Sequence, residues 1–524
     1  MEFPESNPAG YQWLANRFNV AAMPHWRETR ILVRGARRLV ETDGRQVEYL
    51  PAMQDPGADV FDQLEFSLRK EGLHLELLRK ILVQIPPNEI NEHLWGKPNG
   101  RYARILWFLY ESFTGVRLDL ADLKVGNYVD LLDPEICVTG PVRKVKRQRV
   151  NMNLLGTVDF SPMVRWKGLN EWNETRLQDR CKEILEDYPA KIFERAVRYL
   201  YAKESKSSHE IERETPDQKR AETFIELLKQ AWHRDFLNKE ALVELQKAIV
   251  DARYANHGWR SGIGEQVYVG EMLGPGQERV HYIAPKPDDL DELMQGFLTM
   301  ARQIVNHYRQ ADGLKYHVVS HVPTLVAAAV ISFSFDFLHP FSDGNGRIHR
   351  FLLHYVLAHN DFGPKGIILP VSAVILNRPQ EYDQALESFS KPLMERVKHT
   401  MDDRLRMTVI NDTVDFYRYI DCTEQTRITI DFIRETIETE LPSELRYLTM
   451  YDEVRARMRD IVEMPDRHAD LFIALVRQNG GALSKKKRKL PEFEVLTNAE
   501  VEQMEKVIRE TLEITGAIQS STGD

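Results

Sequence analysis

Cysteine is scarce in this sequence of 524 residues. The three cysteines, Cys137, Cys181 and Cys422, are far apart and form no C-x-x-C pair. This spacing argues against a disulfide framework, a zinc ribbon and a dithiol redox centre. We therefore expect the three thiols to be small buried hydrophobic groups.

Long apolar runs and a strong net charge are also missing. No uninterrupted apolar stretch approaches the roughly 20 residues that a membrane helix needs, and the opening residues have neither the basic nor the apolar region of a signal peptide. We expect a cytoplasmic protein that does not enter a membrane. The net charge of −9 gives no global nucleic-acid signal, although residues 143–149 and 485–489 are local basic runs.

Apolar spacing predicts a mainly α protein with more than one core. In residues 262–285, two short β patterns flank Gly274-Pro275-Gly276 and predict a β-hairpin, and helices are expected from there to about residue 400. We expect four domains: an α+β N-terminal domain of unassigned role at 1–170, a helical region at 171–260, a helical core with the β-hairpin at 261–400 and a helical C-terminal domain at 401–524.

The C-terminal domain combines a helical pattern, a Gly480-Gly481 break, the basic run at 485–489 and a last helix. A helix-turn-helix or winged helix that contacts DNA phosphates would have this order of elements. An ordinary helical appendage fits it equally well. Salt-dependent binding to duplex DNA would distinguish the two interpretations.

The stretch FDFLHPFSDGNGRIHRF, residues 335–351, is the most informative part of the chain. It breaks an apolar helical pattern at His339 and starts another after a short glycine loop. Gly344 and Gly346 permit positive φ and the close approach of a ligand. Their amides lie at a predicted helix N-terminus, which attracts anions.

Charged side chains surround this loop. Arg347 and Arg350 are three residues apart, so both guanidinium groups can reach one polyanion. Asp343 supplies a carboxylate that can hold Mg²⁺ against phosphate oxygens, and His339 is placed to accept a proton. The combination predicts a phosphate site next to a general base. Two alternatives are a purely structural glycine turn and a metal site made of His339, His349 and His354, whose spacing matches no usual ligand pair.

HPFSDGNGRIHR resembles the signature of the Fic domain family, H-P-F-x-[D/E]-G-N-G-R-x-x-R, at every fixed position. The resemblance implies a helical fold and transfer of AMP from ATP to a hydroxyl group of a target protein. It also implies that His339 is the general base and that Asp343 holds Mg²⁺, or Mn²⁺ in its place. The expected nucleotide site, with Phe341 as the residue that anchors the loop in the core, comprises Phe341, Gly344, Asn345, Gly346, Arg347, Arg350 and Tyr382.

Of two further details of the family pattern, the first is not matched and the second is. Family members often have a tyrosine pair at the adenine pocket, whereas this chain has Tyr382-Asp383, which leaves the preference for ATP open. They also carry a flap that aligns the target segment by strand addition. By resemblance, the flap residues here are Val267, Tyr268, Val269 and Gly270, although a purely structural hairpin is an alternative.

Many relatives also carry an inhibitory helix with the pattern [S/T]-x-x-x-E-[G/N], whose Glu pairs with the second motif arginine. Residues 67–72 match the pattern fully, whereas Ser208 to Arg213 fails at its last position. The second stretch precedes the hairpin and the motif, as in the family, so Ser208 and Glu212 are our candidates. A solvated helix glutamate is the alternative for Glu212.

The end of this helix has its own prediction. Glycine is common there because it adopts a left-handed conformation, which would cost Arg213 roughly 1–2 kcal/mol. We therefore expect the helix to continue past Arg213 and to end at the capping sequence Thr215-Pro216.

The resemblance leaves several outcomes open. The same pocket could remove AMP from a modified protein, with Glu212 positioning a water molecule. A DNA-binding regulator that uses the C-terminal domain is an alternative of another class. Self-modification and a homodimer are further expectations that the sequence does not decide.

Overall fold

The computed structural model describes residues 5–513, except 43, 170–171, 189, 215–217, 263, 275–276, 306, 312–313, 319–320, 403 and 405. The chain forms two compact units. The first unit comprises the residues up to Asp179 together with Tyr201–Arg434, and the second comprises Arg180–Leu200 together with the chain from Glu435 onward.

The first part of the first unit is a small α+β layer. Its four-stranded sheet has the order β1-β2-β4-β3, in which β2 and β4 are parallel and the other pairs are antiparallel. The strands are β1 (Ser6–Ala9), β2 (Arg27–Leu32), β3 (Arg38–Thr42) and β4 (Arg45–Pro51). The helices are α1 (Tyr11–Phe18), α2 (Val60–Lys70), α3 (Leu75–Leu82), α4 (Pro87–Trp95) and α5 (Arg101–Thr114). A three-stranded sheet follows, with β5 (Val129–Asp130), β6 (Arg143–Val145) and β7 (Val150–Met152) in the order β5-β7-β6.

The rest of the first unit is mainly helical. Its elements are α8 (Gln218–Gln230), α9 (Lys239–Ile249), β8 (Tyr268–Gly274), β9 (Gln277–Ile283), α10 (Pro287–Ile304), β10 (His307–Ala311), β11 (Leu314–Val318), α11 (Thr324–Leu338), α12 (Asn345–His359), α13 (Val371–Asn377), α14 (Pro379–Met394), β12 (His399–Met401), β13 (Met407–Val409), α15 (Val414–Arg418) and α16 (Thr423–Glu435). Helices α11 and α12 pack against each other and are buried along nearly their whole length. Because core packing fixes both helices, the loop between them is held at both ends.

The long helices before and after this region complete the chain. They are α6 (Glu174–Glu186) and α7 (Ala190–Ile211), then α17 (Leu441–Ile461), α18 (Asp466–Gln478), α19 (Pro491–Glu494) and α20 (Asn498–Glu513). In the second unit, Val454, Phe472, Phe493 and Met504 belong to one apolar core. The described residues 435–513 form helices and turns and contain no strand.

The mainly α fold class with an α+β N-terminal region is confirmed. The prediction of unbroken helices from the hairpin to residue 400 was wrong at 307–318, where β10 pairs antiparallel with β11. Asp312-Gly313 between them is a favoured hairpin turn sequence, although these two residues lie outside the described part. The four domain boundaries remain predictions. Among the described residues, no helix combines the length and apolar character needed to cross a bilayer.

Candidate active site

The loop between α11 and α12 begins with His339 in a left-handed conformation, with φ 46° and ψ 57°. Its backbone N–H donates to the carbonyl of Phe335 at 3.0 Å and so closes the last turn of α11. Gly344 precedes α12 with φ 88°, and a Cβ atom there would lie only 2.8 Å from Cγ1 of Val250. Position 344 thus requires glycine for its conformation and for its packing.

The side chain of Asn345 holds the loop closed. Its Nδ2 donates to the carbonyl of Phe341 at 2.8 Å, and its Oδ1 accepts from the N–H of Phe341 at 3.1 Å. The ring of Phe341 is buried between Trp259 and Phe335, at centroid distances of 5.3 and 6.3 Å. Phe341 therefore lies where an anchor is expected, and contacts within the protein hold the shape of the loop.

The imidazole of His339 is neutral near pH 7 because its pKa is low. Burial, followed by the positive charge of Arg260, lowers its pKa from 6.5 to about 4. Its Nδ1 lies 3.2 Å from the carbonyl of Asp336. If Nδ1 carries the proton and donates to that carbonyl, Nε2 keeps a lone pair that can accept a proton.

Arg260 is a site residue that the sequence analysis missed. Its Nε donates to the carbonyl of His339 at 2.8 Å, and its Nη2 donates to the carbonyl of Pro285 at 2.5 Å. Its backbone N–H donates to the carbonyl of Pro340 at 2.9 Å. This buried side chain therefore ties the base of the β8–β9 hairpin to the loop that carries His339. A Trp-Arg-Ser context contains no signal for such a role.

Arg350 lies in a buried cluster with the end of α7. Its Nε donates to Oγ of Ser208 and its Nη2 to the carbonyl of Ser208, both at 2.8 Å. Nη2 also donates to Oε1 of Glu212 at 2.8 Å. The Arg350 side chain is 2% exposed, whereas that of Glu212 is 36% exposed. Burial raises the pKa of Glu212, but Arg350, with smaller effects of Arg347 and His339, opposes it, and the net result is a lowered pKa.

Glu212 also covers the N-terminus of α12. A Cβ atom at position 346 would collide with Oε1 of Glu212, so Gly346 permits this approach. Further along the same pair of helices, the buried Glu204 accepts from the N–H of Ser372 at 3.0 Å and lies 2.9 Å from Nε2 of His354. This cluster, which was not predicted from the sequence, fixes α7 against α12.

The C-terminus of α7 corrects one prediction. Arg213 has φ 56°, so it adopts the left-handed conformation that we expected it to avoid. The N–H of Glu214 donates to the carbonyl of His209 at 3.0 Å, and that of Arg213 donates to the carbonyl of Glu210 at 2.9 Å. This pair of bonds is the Schellman motif, with arginine in the place of glycine. The expected cap at Thr215-Pro216 lies outside the described residues.

The turn at Arg213 brings a second carboxylate to the site. Oε2 of Glu214 lies 2.9 Å from Nη1 of Arg347, and Nη2 of Arg347 donates to Oε1 of Glu214 at 3.4 Å. Nη1 also donates to the carbonyl of Ile249 at 2.8 Å. The Arg347 side chain is 1% exposed, so Glu214 is paired with a buried cation. Glu214 was not predicted from the sequence.

Asp343 is the expected ligand of the cation. Its Oδ1 lies 3.3 Å from Nη2 of Arg347, a long distance for a charge-assisted hydrogen bond, and its side chain is 43% exposed. A half-exposed carboxylate of this kind fits a hard cation that takes its other ligands from phosphate and water. Among the described residues, no three His, Cys, Asp or Glu side chains are grouped so as to hold a metal ion, which weighs against a site made of His339, His349 and His354.

The remaining predicted residues flank the loop. Tyr382 is buried against Phe333 and His349, and burial, followed by the charge of Asp336, raises its pKa.

Strands β8 and β9 are antiparallel, with register shifts next to Gly270 and Gly274. Val267 lies just before β8, where its carbonyl accepts from Ala284. The turn residues Pro275 and Gly276 lie outside the described part. Val269, Met272 and Leu273 are exposed on β8.

The competing match at residues 67–72 serves another purpose. Glu71 is buried in the N-terminal layer and accepts from the N–H groups of Tyr11 at 2.8 Å and Thr29 at 2.6 Å. Gly72 ends helix α2 with φ 88°. Glu71 therefore supports the N-terminal sheet, whereas Glu212 lies at the loop.

The loop lies within the part of the chain that matches a known family, and two solved structures are also similar to the chain. Residues 236–357 match the Fic/DOC family. A Fic family protein from Desulfovibrio desulfuricans G20 is 16% identical and has a TM-score of 0.34, with 66% of this chain and 85% of that chain covered. A Fic domain containing signaling protein from Bacteroides thetaiotaomicron VPI-5482 is 17% identical and has a TM-score of 0.34, with coverages of 53% and 97%.

Proposed function

The chain carries a Fic/DOC family domain at residues 236–357, and from this premise we propose that it is a protein adenylyltransferase. It transfers AMP from ATP to a Ser, Thr or Tyr hydroxyl group and is restrained by Glu212. The observation that carries the proposal is the pairing of a neutral His339 with two buried arginines, Arg347 and Arg350, on the helix that follows the same loop.

The reaction follows from the positions of these groups. Nε2 of His339 takes the proton of the target hydroxyl, whose oxygen attacks the α-phosphorus of ATP in line. A bond forms between this oxygen and phosphorus, and the bond to the β-phosphate oxygen breaks. Its electron pair leaves with pyrophosphate. The amides at Gly344 to Gly346 and the two guanidinium groups stabilise the charge on the phosphates.

A divalent cation would be held by Asp343. When bound, Mg²⁺ neutralises phosphate charge, and Mn²⁺ is a plausible substitute because both accept oxygen ligands in similar geometry. The exposed edge of β8 is suited to strand addition by the target segment, through the main chain at Val269 and Gly270. Tyr382 interacts with Arg350, and its assigned role is an aromatic contact with the nucleotide.

The restraint acts through one ion pair. Arg350 would pair with the γ-phosphate of ATP, but Glu212 already occupies its Nη2. Loss of a charge-assisted contact of about 1.5–3 kcal/mol lowers the affinity of the productive ATP pose by roughly ten- to hundredfold. Replacing Glu212 should restore this contact.

The test compares label transfer from α-labelled ATP, with Mg²⁺ and lysate, by full-length variants. We expect Glu212→Gly to transfer roughly ten- to hundredfold more label than the wild type. We expect Glu212→Gly combined with His339→Ala to transfer none. The control is Glu210→Gln, an exposed glutamate on the same helix, which should match the wild type. The proposal is wrong if Glu212→Gly produces no His339-dependent label.

A further inference from the structure

Both motif arginines, and not only the second, are paired with carboxylates from the end of α7. Glu212 contacts Arg350 at 2.8 Å, and Glu214 contacts Arg347 at 2.9 Å. Both guanidinium groups are buried, whereas both carboxylates are about one third exposed. The two glutamates can therefore move toward solvent, while the arginines stay fixed in the core.

The backbone explains why both carboxylates reach the loop. In a continuing helix, residues two apart point in directions about 200° apart, since each residue turns the helix by about 100°. The left-handed turn at Arg213 breaks the helix between Glu212 and Glu214. It thereby allows both side chains to point toward the N-terminal turn of α12.

The two arginines are suited to different phosphates. Arg347 lies in the first turn of α12, next to the loop amides, and Arg350 lies almost one turn further along. Under the proposed function, Arg350 receives the γ-phosphate, so Arg347 is left for the phosphates that ADP and ATP share. A carboxylate on Arg350 alone would oppose ATP more than ADP.

We infer that Glu214 is a second residue that competes with the nucleotide, and that it occupies Arg347 so that ADP as well as ATP is opposed. This inference rests on the proposed function. It assigns a separate phosphate position to each of the two glutamates. Full release of the phosphate cradle then requires both glutamates to leave, whereas a change that displaces Glu212 alone frees Arg350 and leaves Arg347 paired with Glu214.

The experiment measures the binding of ATP, ADP and AMP, with Mg²⁺, to full-length protein by calorimetry. All variants carry His339→Ala so that ATP is not consumed. They add Glu212→Gln, Glu214→Gln, both changes, or the exposed control Glu210→Gln. We expect Glu214→Gln to tighten ADP and ATP binding by a similar factor of about ten, and Glu212→Gln to tighten ATP binding more than ADP binding. AMP binding should change little.

Two outcomes would overturn the inference. They differ in whether the proposed function fails as well. If Glu212→Gln tightens ATP binding while Glu214→Gln leaves both nucleotides within twofold of the parent, Glu214 is only a structural partner of Arg347 and the proposed function stands. If none of the variants binds ATP or ADP, both the inference and the proposed function fail.

Discussion

The imidazole of His339 and the guanidinium of Arg260 act on each other at short range. Arg260 fixes the carbonyl of His339 through one hydrogen bond and, with burial, keeps the imidazole neutral near pH 7. A general base must be unprotonated at the working pH, so this setting favours proton acceptance. Its weakness as a base, which follows from the low pKa, is the chemical cost.

The low pKa of His339 predicts how the rate of label transfer depends on pH. A histidine with a pKa of about 4 loses its proton well below its ordinary value of 6.5, so the base form is complete above about pH 5. We expect His339-dependent transfer by Glu212→Gly to be nearly flat between pH 5.5 and pH 8. The measurement is the initial rate of label transfer across this range.

Arg260→Met provides the matched comparison. Arg260→Met, made in Glu212→Gly, removes one of the two causes of the low pKa of His339. As the pH is lowered, the rate of label transfer should therefore begin to fall at a higher pH than in Glu212→Gly alone. If the rate of label transfer by Glu212→Gly rises about tenfold between pH 5.5 and pH 7, the imidazole of His339 titrates near its ordinary pKa and the expectation of a low pKa is wrong.

Single residues also show where sequence reasoning reached its limit. The positions of His339, Phe341 and Arg350 could be predicted because a dense motif names them. Arg260 could not, since its partners are carbonyl groups that lie close only after folding. Glu214 was missed because its position depends on the conformation of Arg213, which local preference opposes.

At the scale of elements, the end of α7 is the decisive structure. Helix α2 ends at Gly72 in the same left-handed conformation that Arg213 adopts at the end of α7. The inhibitory-helix pattern, which residues 67–72 match fully, therefore indicates how a helix ends. It does not predict which groups the glutamate of the pattern contacts. Position along the chain, ahead of the hairpin and the motif, was the better guide to Glu212.

The cap of α7 carries a prediction about stability. Arg213→Gly should relieve part of the left-handed cost, by about 1 kcal/mol, and raise the midpoint of thermal unfolding by about 2 °C. Label transfer should not increase, because the pairs of Glu212 and Glu214 remain.

The reciprocal change is Gly72→Ala at the end of α2. It places a side chain at φ 88° and should lower the same midpoint by a similar amount. A lower midpoint for Arg213→Gly would show that the arginine side chain stabilises this helix end by other contacts.

At the scale of the whole molecule, periodicity was enough for the fold class but not for the units. The second unit joins residues 180–200 to the chain beyond Glu435. No local pattern could predict this, because the two segments are more than 230 residues apart in the sequence. The hairpin at 307–318 was missed since its strands are short and lie between strong helical patterns.

The C-terminal basic run remains a prediction of DNA contact. Lys485 to Lys487 precede α20, the helix that would have to read a groove. The exposed and partly exposed positions of α20 carry charges of both signs, since Glu502 and Lys506 are exposed and Arg509 and Glu510 are partly buried. Because acidic side chains repel phosphates, these mixed charges give no support to DNA recognition by α20.

The central claim is that the protein moves AMP, and not phosphate, onto a hydroxyl group with His339 as the base. The most direct measurement incubates Glu212→Gly with Mg²⁺, lysate and ATP labelled at either the α- or the γ-phosphorus, with Glu212→Gly carrying His339→Ala in parallel. We expect α-label to enter protein only when His339 is present and γ-label to be released as pyrophosphate. Label from the γ-phosphorus that enters protein only when His339 is present, or α-label that does not depend on His339, would contradict this reaction.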